Sequence, residues 1–214
     1  MKNQVSIFIL CLFSSLVSCQ KENVTPNTNS NLSSQILNLP YENLSQAEKT
    51  SLLLMREEEK LARDVYRFLY DKWKLNSFTN ISSSEQQHTE SVRMLLNKYG
   101  LEDPAKDDSQ GVFTNPIYTN LYLELTKKGS ESLVLALTVG ATIEDLDLYD
   151  LQEALKKMDN QDIRLVYENL SKGSRNHLRS FYGSLQSQNA SYEPQFISKE
   201  TFEAIINSSM ENGN

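Results

Sequence analysis

Four segments of this chain carry apolar residues at helical spacing over lengths that leave little room for any architecture other than a helical bundle. The first runs from about Ser45 to Trp73, with Leu52, Met55, Ala62, Tyr66, Leu69 and Trp73 on one stripe. The second runs from about Asn80 to Tyr99 and aligns Ile81, Val92, Leu95 and Tyr99 before Gly100 stops it. The third starts near Ser130 with Leu133, Leu137, Gly140, Leu151 and Ala154, and a break near Asp147 is compatible with its pattern. The fourth follows Asp159-Asn160 and reaches about Ser187, with Val166, Leu170 and Phe181 inward. Recurrence every three to four residues gives each helix one apolar face, which must be buried against the others. Only seven Gly and five Pro are spread over 214 residues, so the helices meet few interruptions. The expected fold is all-α. Two short connections flank one long one (101–130), which contains a short helix at 117–128 and carries the chain along the full length of a four-helix bundle. The apolar residues between Tyr192 and Ile206 are expected to pack along that bundle, with 207–214 as a disordered tail.

The first 44 residues read differently. Met1-Lys2-Asn3 is a short cationic start, followed by a mostly apolar run from Val5 to Val17 that is too short to span a bilayer comfortably. It reads as a cleaved signal peptide, residues 1–18. Leu16-Val17-Ser18-Cys19 resembles the bacterial lipobox, in which the cysteine is acylated and the chain is cut before it. Each buried methylene of an acyl chain contributes ~0.8 kcal/mol, so several chains anchor a protein firmly. Gln20-Lys21-Glu22 resembles the Lys-plus-acid signal that sends some bacterial lipoproteins to the cell surface. The Asn-, Ser- and Thr-rich stretch that follows reads as a flexible, lipid-anchored linker over 19–44, ahead of a domain at 45–206. The location implied is the cell envelope, on the periplasmic or the surface side, with the membrane as partner through the lipid on Cys19. With Cys11 and Cys19 both outside the domain, neither a disulfide nor a thiolate ligand is available to it. A net charge of −7 without a basic cluster excludes nucleic acid as a partner.

The chemistry lies in the gaps of the apolar stripes. Position 59 is skipped on the first helix, 85 and 88 on the second, 144 and 147 on the third and 177 on the fourth; they hold Glu59, Glu85, His88, Glu144, Asp147 and His177. Both histidines of the chain thus fall on core-facing positions beside four carboxylates. Burying an ionised carboxylate without a partner costs several kcal/mol, and no Lys or Arg stands on these stripes. A pair of divalent cations would supply the missing charge. Glu85-Gln86-Gln87-His88 puts two donors on one helical face, aimed at one ion.

Plainer roles are open for each residue alone. Glu57-Glu58-Glu59 sweeps about 200° of helix surface, so one acid faces inward by default, and Glu58 is the alternative to Glu59. Glu85 fits the last place of a capping box begun by Ser82, provided the helix starts there. Glu144, Asp145 and Asp147 fit a solvated acidic turn, and either histidine could be an ordinary core residue.

The stretches MREEEKLARDVY (55–66), FTNISSSEQQHTESVRMLLNKYGL (78–101), VGATIEDLDLYDLQEAL (139–155) and ENLSKGSRNHLRSF (168–181) resemble the DUF2202 family, a ferritin-like group, over roughly 45–206. Resemblance to the wider ferritin and rubrerythrin superfamily implies a dinuclear site with Glu59, Glu85, His88, Glu144 and His177 as ligands. It also implies a neighbouring role for Tyr66, seven residues after Glu59. The fourth helix departs from the superfamily pattern: Ser174 stands where a glutamate is expected three residues before His177, and Asp147 is the substitute carboxylate at hand. The function this implies is an envelope oxidoreductase of ferroxidase, peroxidase or oxygenase type. Its cofactors would be two divalent metal ions (iron first, an iron/manganese pair or zinc as alternatives), its small partner dioxygen or peroxide, and its assembly a homodimer. A non-catalytic metal binder and a metal-free helical interaction module are the alternatives.

Overall fold

A computed structural model describes residues 28–212; the leader, the lipobox and Cys19 lie outside the described residues. Seven helices and no strands make up the described chain: α1 (Thr28–Asn38), α2 (Gln46–Trp73), α3 (Asn76–Lys98), α4 (Pro116–Gly129), α5 (Leu133–Leu155), α6 (Gln161–Ser187) and α7 (Lys199–Ile206). Among these, none is long and apolar enough to cross a membrane. The four long helices close a ring in which α2 packs on α3 and α5, and α6 packs on the same two. Two residues, Lys74 and Leu75, connect α2 to α3, which forces them antiparallel; Lys74 makes the turn in the left-handed conformation at φ 53°. Helix α4 lies in the crossover and packs on α2 and α5.

The boundaries follow local chemistry. Ser45 and Glu48 form a capping box at the start of α2. Glu48 also accepts from the backbone N–H groups of Asp159 and Asn160, joining the starts of α2 and α6. Ser132 caps α5 by accepting from Leu135 N–H, and Asn115 caps α4 ahead of Pro116. Helix α3 begins at Asn76, so Ser82 is interior, donates to the Thr79 carbonyl at 3.0 Å and does not cap Glu85. Helix α5 runs unbroken through Asp147, which removes the acidic-turn alternative.

Two expectations are corrected. The flexible linker does not extend to residue 44: α1 docks on α3 and α6, burying Ile36 completely, while Lys98 donates to the carbonyls of Ile36 and Leu39 at 3.0 Å each. The physical reason is that Leu32 and Ile36, one turn apart, give even this Asn/Ser-rich stretch a small apolar edge. Nor do residues 207–212 hang loose. Glu211 pairs with Arg175 and Arg179, and exchanges backbone hydrogen bonds with the Asn176 amide at 2.8 and 2.9 Å.

The run of charges on α2 is not a solvated face. The crossover lies over it, and the charges hold the crossover down. Arg56 makes two 3.0 Å bonds to Asp103, and Glu57 accepts from the N–H groups of Thr114 and Asn115. Lys60, Arg63 and Asp64 are fully buried and tie down Asp108, the Ser109 carbonyl and Gly111 N–H. Gly111 sits at φ +76°, where a side chain would also strike the Tyr122 ring.

The C-terminal segment is held by one buried carboxylate on α5. Asp145 accepts from the Tyr192 hydroxyl (2.7 Å) and the N–H groups of Gln195, Phe196 and Ile197 (2.5, 3.2 and 2.9 Å). Phe202 then packs edge-on against Tyr182 and Tyr192. Replacing Asp145 by Asn removes the charge that collects these donors. The expected outcome is a loss of about 2–3 kcal/mol in unfolding free energy by urea titration, with limited proteolysis cutting first near residues 190–198.

Candidate metal centre

The interior is divided along its length. One apolar cluster gathers Tyr66, Leu69, Phe78, Leu137, Phe181 and their neighbours; the other gathers Leu52, Met55, Leu95, Leu151, Val166 and theirs. Between them each long helix contributes polar residues in place of apolar ones: Glu59 from α2, Glu85 and His88 from α3, Glu144 and Asp147 from α5, Ser174 and His177 from α6. The carboxylates of this layer are 1–7% exposed.

Glu85 is at its centre. Oε2 lies 2.7 Å from His88 Nδ1, and Oε1 lies 2.7 Å from His177 Nδ1. Glu59 Oε2 approaches the same His88 nitrogen at 3.2 Å, and Glu144 Oε2 approaches that of His177 at 3.4 Å. Two ligand sets result, Glu59–Glu85–His88 and Glu85–Glu144–His177, each with one donor atom per residue within 4.8 Å of the others. The histidine rings are 5.5 Å apart between centroids and tilted by 30°. A cavity of about 10 Å³ lies against Glu58, Glu59, Glu85, Glu144 and Asp147, room for one water-sized occupant.

The bond inventory of the layer is incomplete. Glu59 Oε1, Asp147 Oδ1 and His177 Nδ1 are buried without a hydrogen-bond partner. No oxygen stands on the hydrogen-bond axis of that nitrogen, although Glu85 Oε1 is close in distance. Acids and imidazoles crowded around common points, with three of their atoms left unpaired, form a donor set that could hold a metal ion. Carboxylate oxygens mixed with imidazole nitrogens suit iron, manganese or zinc.

Burial and mutual repulsion set the protonation of the cation-free layer. Burial drives the Glu59 carboxyl up to about 8 against the pull of His88, and burial also raises Glu144. Asp147 rises well above the usual carboxylate range, through burial and then the charges of Glu59 and Glu144. Glu85 differs: burial opposes its charge, but the two imidazolium rings outweigh that and hold it far below. In return Glu85 raises both histidines against burial, His177 to about 10. The raised acids and histidines hold protons more readily than free side chains do, and a cation entering the layer would compete with those protons.

The sequence-derived residues thus come together, with distinctions the sequence did not make. Glu59 joins His88, whereas Glu58 lines the same cavity and hydrogen-bonds Asp150. Asp147 borders the cavity but belongs to neither ligand set; its Oδ2 accepts from the Ser174 hydroxyl. Tyr66 is fully buried beside Phe78 and Phe181 and donates to Glu144 Oε1 at 2.5 Å. Sequence reasoning missed Gly173. A Cβ there would stand 2.4 Å from His88 Cε1 and Nε2, so the missing side chain makes the space the ring occupies. The signal available was a glycine inside a helical pattern, which costs about 1 kcal/mol relative to alanine and needs a reason.

A bundle interior crossed by a layer of acids and histidines is what the comparisons with known proteins can be set beside. Residues 48–209 match DUF2202, described as an uncharacterized protein domain, and the chain belongs to this family. The uncharacterized protein MJ0754 of Methanocaldococcus jannaschii is 56% identical over 178 residues, covering 83% of this chain and 96% of that one. The crystal structure of that hypothetical protein superposes with a TM-score of 0.80 at 56% identity, over 81% of this chain and 99% of its own.

Gly173→Ala isolates the geometry of the layer from its chemistry, since no donor is changed. Chelator competition should read a metal affinity lowered by roughly 10–100-fold, because the His88 ring must move. Metal-free stability should fall by about 1–3 kcal/mol, because the ring is pushed off its contacts with Glu59 and Glu85. An unchanged affinity would show that the contact does not fix the ring.

Proposed function

We propose that this protein is a ferritin-like four-helix bundle that holds two divalent metal ions, iron before manganese or zinc, and reacts with dioxygen or peroxide at the cell envelope. The observation that carries this reading is Glu85, with one carboxylate oxygen directed at each of two histidines that have their own acids. Glu59 and His88 would complete one position, and Glu144 and His177 the other, with Glu85 shared and Asp147 supplementary. The ring of α2, α3, α6 and α5 with its long crossover supports the ferritin-like assignment.

Bound iron or manganese would supply a redox couple and polarise an oxygen species, whereas zinc would only polarise it. The remaining work falls to the chain itself. Tyr66 holds Glu144 in one rotation through its hydroxyl, and the Ser174 hydroxyl holds Asp147. The apolar clusters on both sides keep bulk water away from the layer. A non-catalytic metal binder is the second reading, favoured by Ser174, which leaves α6 with one donor residue where the superfamily has two.

Loading with Fe(II) without oxygen, followed by dioxygen or peroxide, separates these readings. Stoichiometric appearance of ferric absorption, abolished in His88→Ala and His177→Ala, is the expected result. Tight binding with no oxidation above the buffer rate would leave only the binder, and no binding at all would end both.

Envelope tethering rests on Leu16-Val17-Ser18-Cys19 and the apolar run before it. Mass spectrometry should find acyl chains on Cys19 as the first residue of the mature protein. Cys19→Ser should move the protein out of the membrane fraction; continued membrane association would refute the anchor.

A further inference from the structure

Four carboxylates follow one another on α5 at three-residue spacing: Glu144, Asp147, Asp150 and Glu153. Each step advances the helix by about 4.5 Å and turns it by about 300°, so the series winds around α5 as it travels. Burial falls along it. Glu144 is 1% exposed and Asp147 7%, Asp150 is half-buried, and the Glu153 side chain is 36% exposed.

Glu58 on α2 links the inner and outer parts of this series. It borders the central cavity together with Asp147 and makes a hydrogen bond with Asp150. Beyond Asp150, the seam between α2 and α5 opens into a cleft of about 470 Å³, with Asp150 and Glu153 set among apolar side chains such as Leu54 and Met55. Lys157 stands at its rim, and Lys156 is already paired with Glu153. Two carboxyls side by side, as with Glu58 and Asp150, share a proton between them, and a divalent cation can take the place of that proton. At the inner end, Asp147 Oδ1 is buried against the cavity with no hydrogen-bond partner. Its other oxygen is fixed by Ser174.

We propose that Glu153, Asp150, Glu58 and Asp147 form an inward route for divalent cations from the α2/α5 cleft to the metal layer, with Glu58, Asp147 and Asp150 as a transient third cation position. This rests on the metal-centre reading and adds to it the way in which ions arrive. Acids in a cleft with low-dielectric walls focus the field and raise the local cation concentration. Successive carboxylates replace the waters that an aqua ion loses as it moves inward.

The test uses the purified, chelator-stripped protein mixed with Co(II) in a stopped-flow instrument, following the visible absorption that changes when the aqua ion acquires protein ligands. Asp150→Asn, Glu153→Gln and the double variant should load more slowly, the double by about tenfold or more. Glu153→Gln, which lies outside every proposed cation position, should still bind two ions with wild-type affinity in chelator competition. Added salt should slow the wild type strongly and the double variant weakly. Glu153 is partly exposed, so its single variant folds even if the other does not. Loading of the double variant at the wild-type rate overturns the route while leaving the central pair standing. A wild-type protein that takes up no tightly held Co(II) overturns the metal centre itself, and the route with it.

Discussion

The structure depends on holding four carboxylates and two imidazoles between two apolar clusters. Neither cluster reaches across the layer, so the four long helices meet there through charge and not through packing. Glu85 carries most of this, because its two oxygens face rings on two different helices, α3 and α6. In an interior of low effective dielectric an uncompensated acid is costly, and something positive must accompany each one. Protonated acids and imidazolium rings do this without a metal; divalent cations would do it with fewer unsatisfied atoms.

A second, separate set of buried charges fixes the crossover. Arg56, Glu57, Lys60, Arg63 and Asp64 face away from the layer of acids and histidines and hold down residues 103–115. These charges are neutralised by partners that are themselves protein groups, which is why they leave no orphan atoms. The contrast with the layer is informative. On the same helix, within two turns, one set of buried charges is complete and the other is not. The unpaired atoms therefore set this layer apart from the buried charges under the crossover.

Much of the architecture was legible in the chain. The four long helices and the short helix in the crossover follow from periodicity, because one-sided burial enforces a repeat near 3.6 residues; the C-terminal segment was legible as packed, and its helix α7 was not. Glu59, Glu85, His88, Glu144 and His177 were legible as gaps in that same repeat. What could not be read is pairwise. The sequence left Glu58 and Glu59 as rivals, since neighbouring helix positions differ by 100° and a stripe is wider than that. It took residues 19–44 as a tether, although Ile36 finds a pocket made by α3 and α6, helices far away along the chain. Gly173 drew no notice, because its role lies in a neighbour's ring.

By itself the sequence determined which residues must be inside, since apolar and acidic residues sharing a helical phase are buried together whatever the neighbours are. Only the tertiary structure decided which acid meets which histidine, that Glu85 is shared, that Asp147 rests on Ser174 and that Asp145 holds the C-terminal segment. Phase along a helix is a local property of the chain. Distance between side chains on different helices is fixed only when the helices pack.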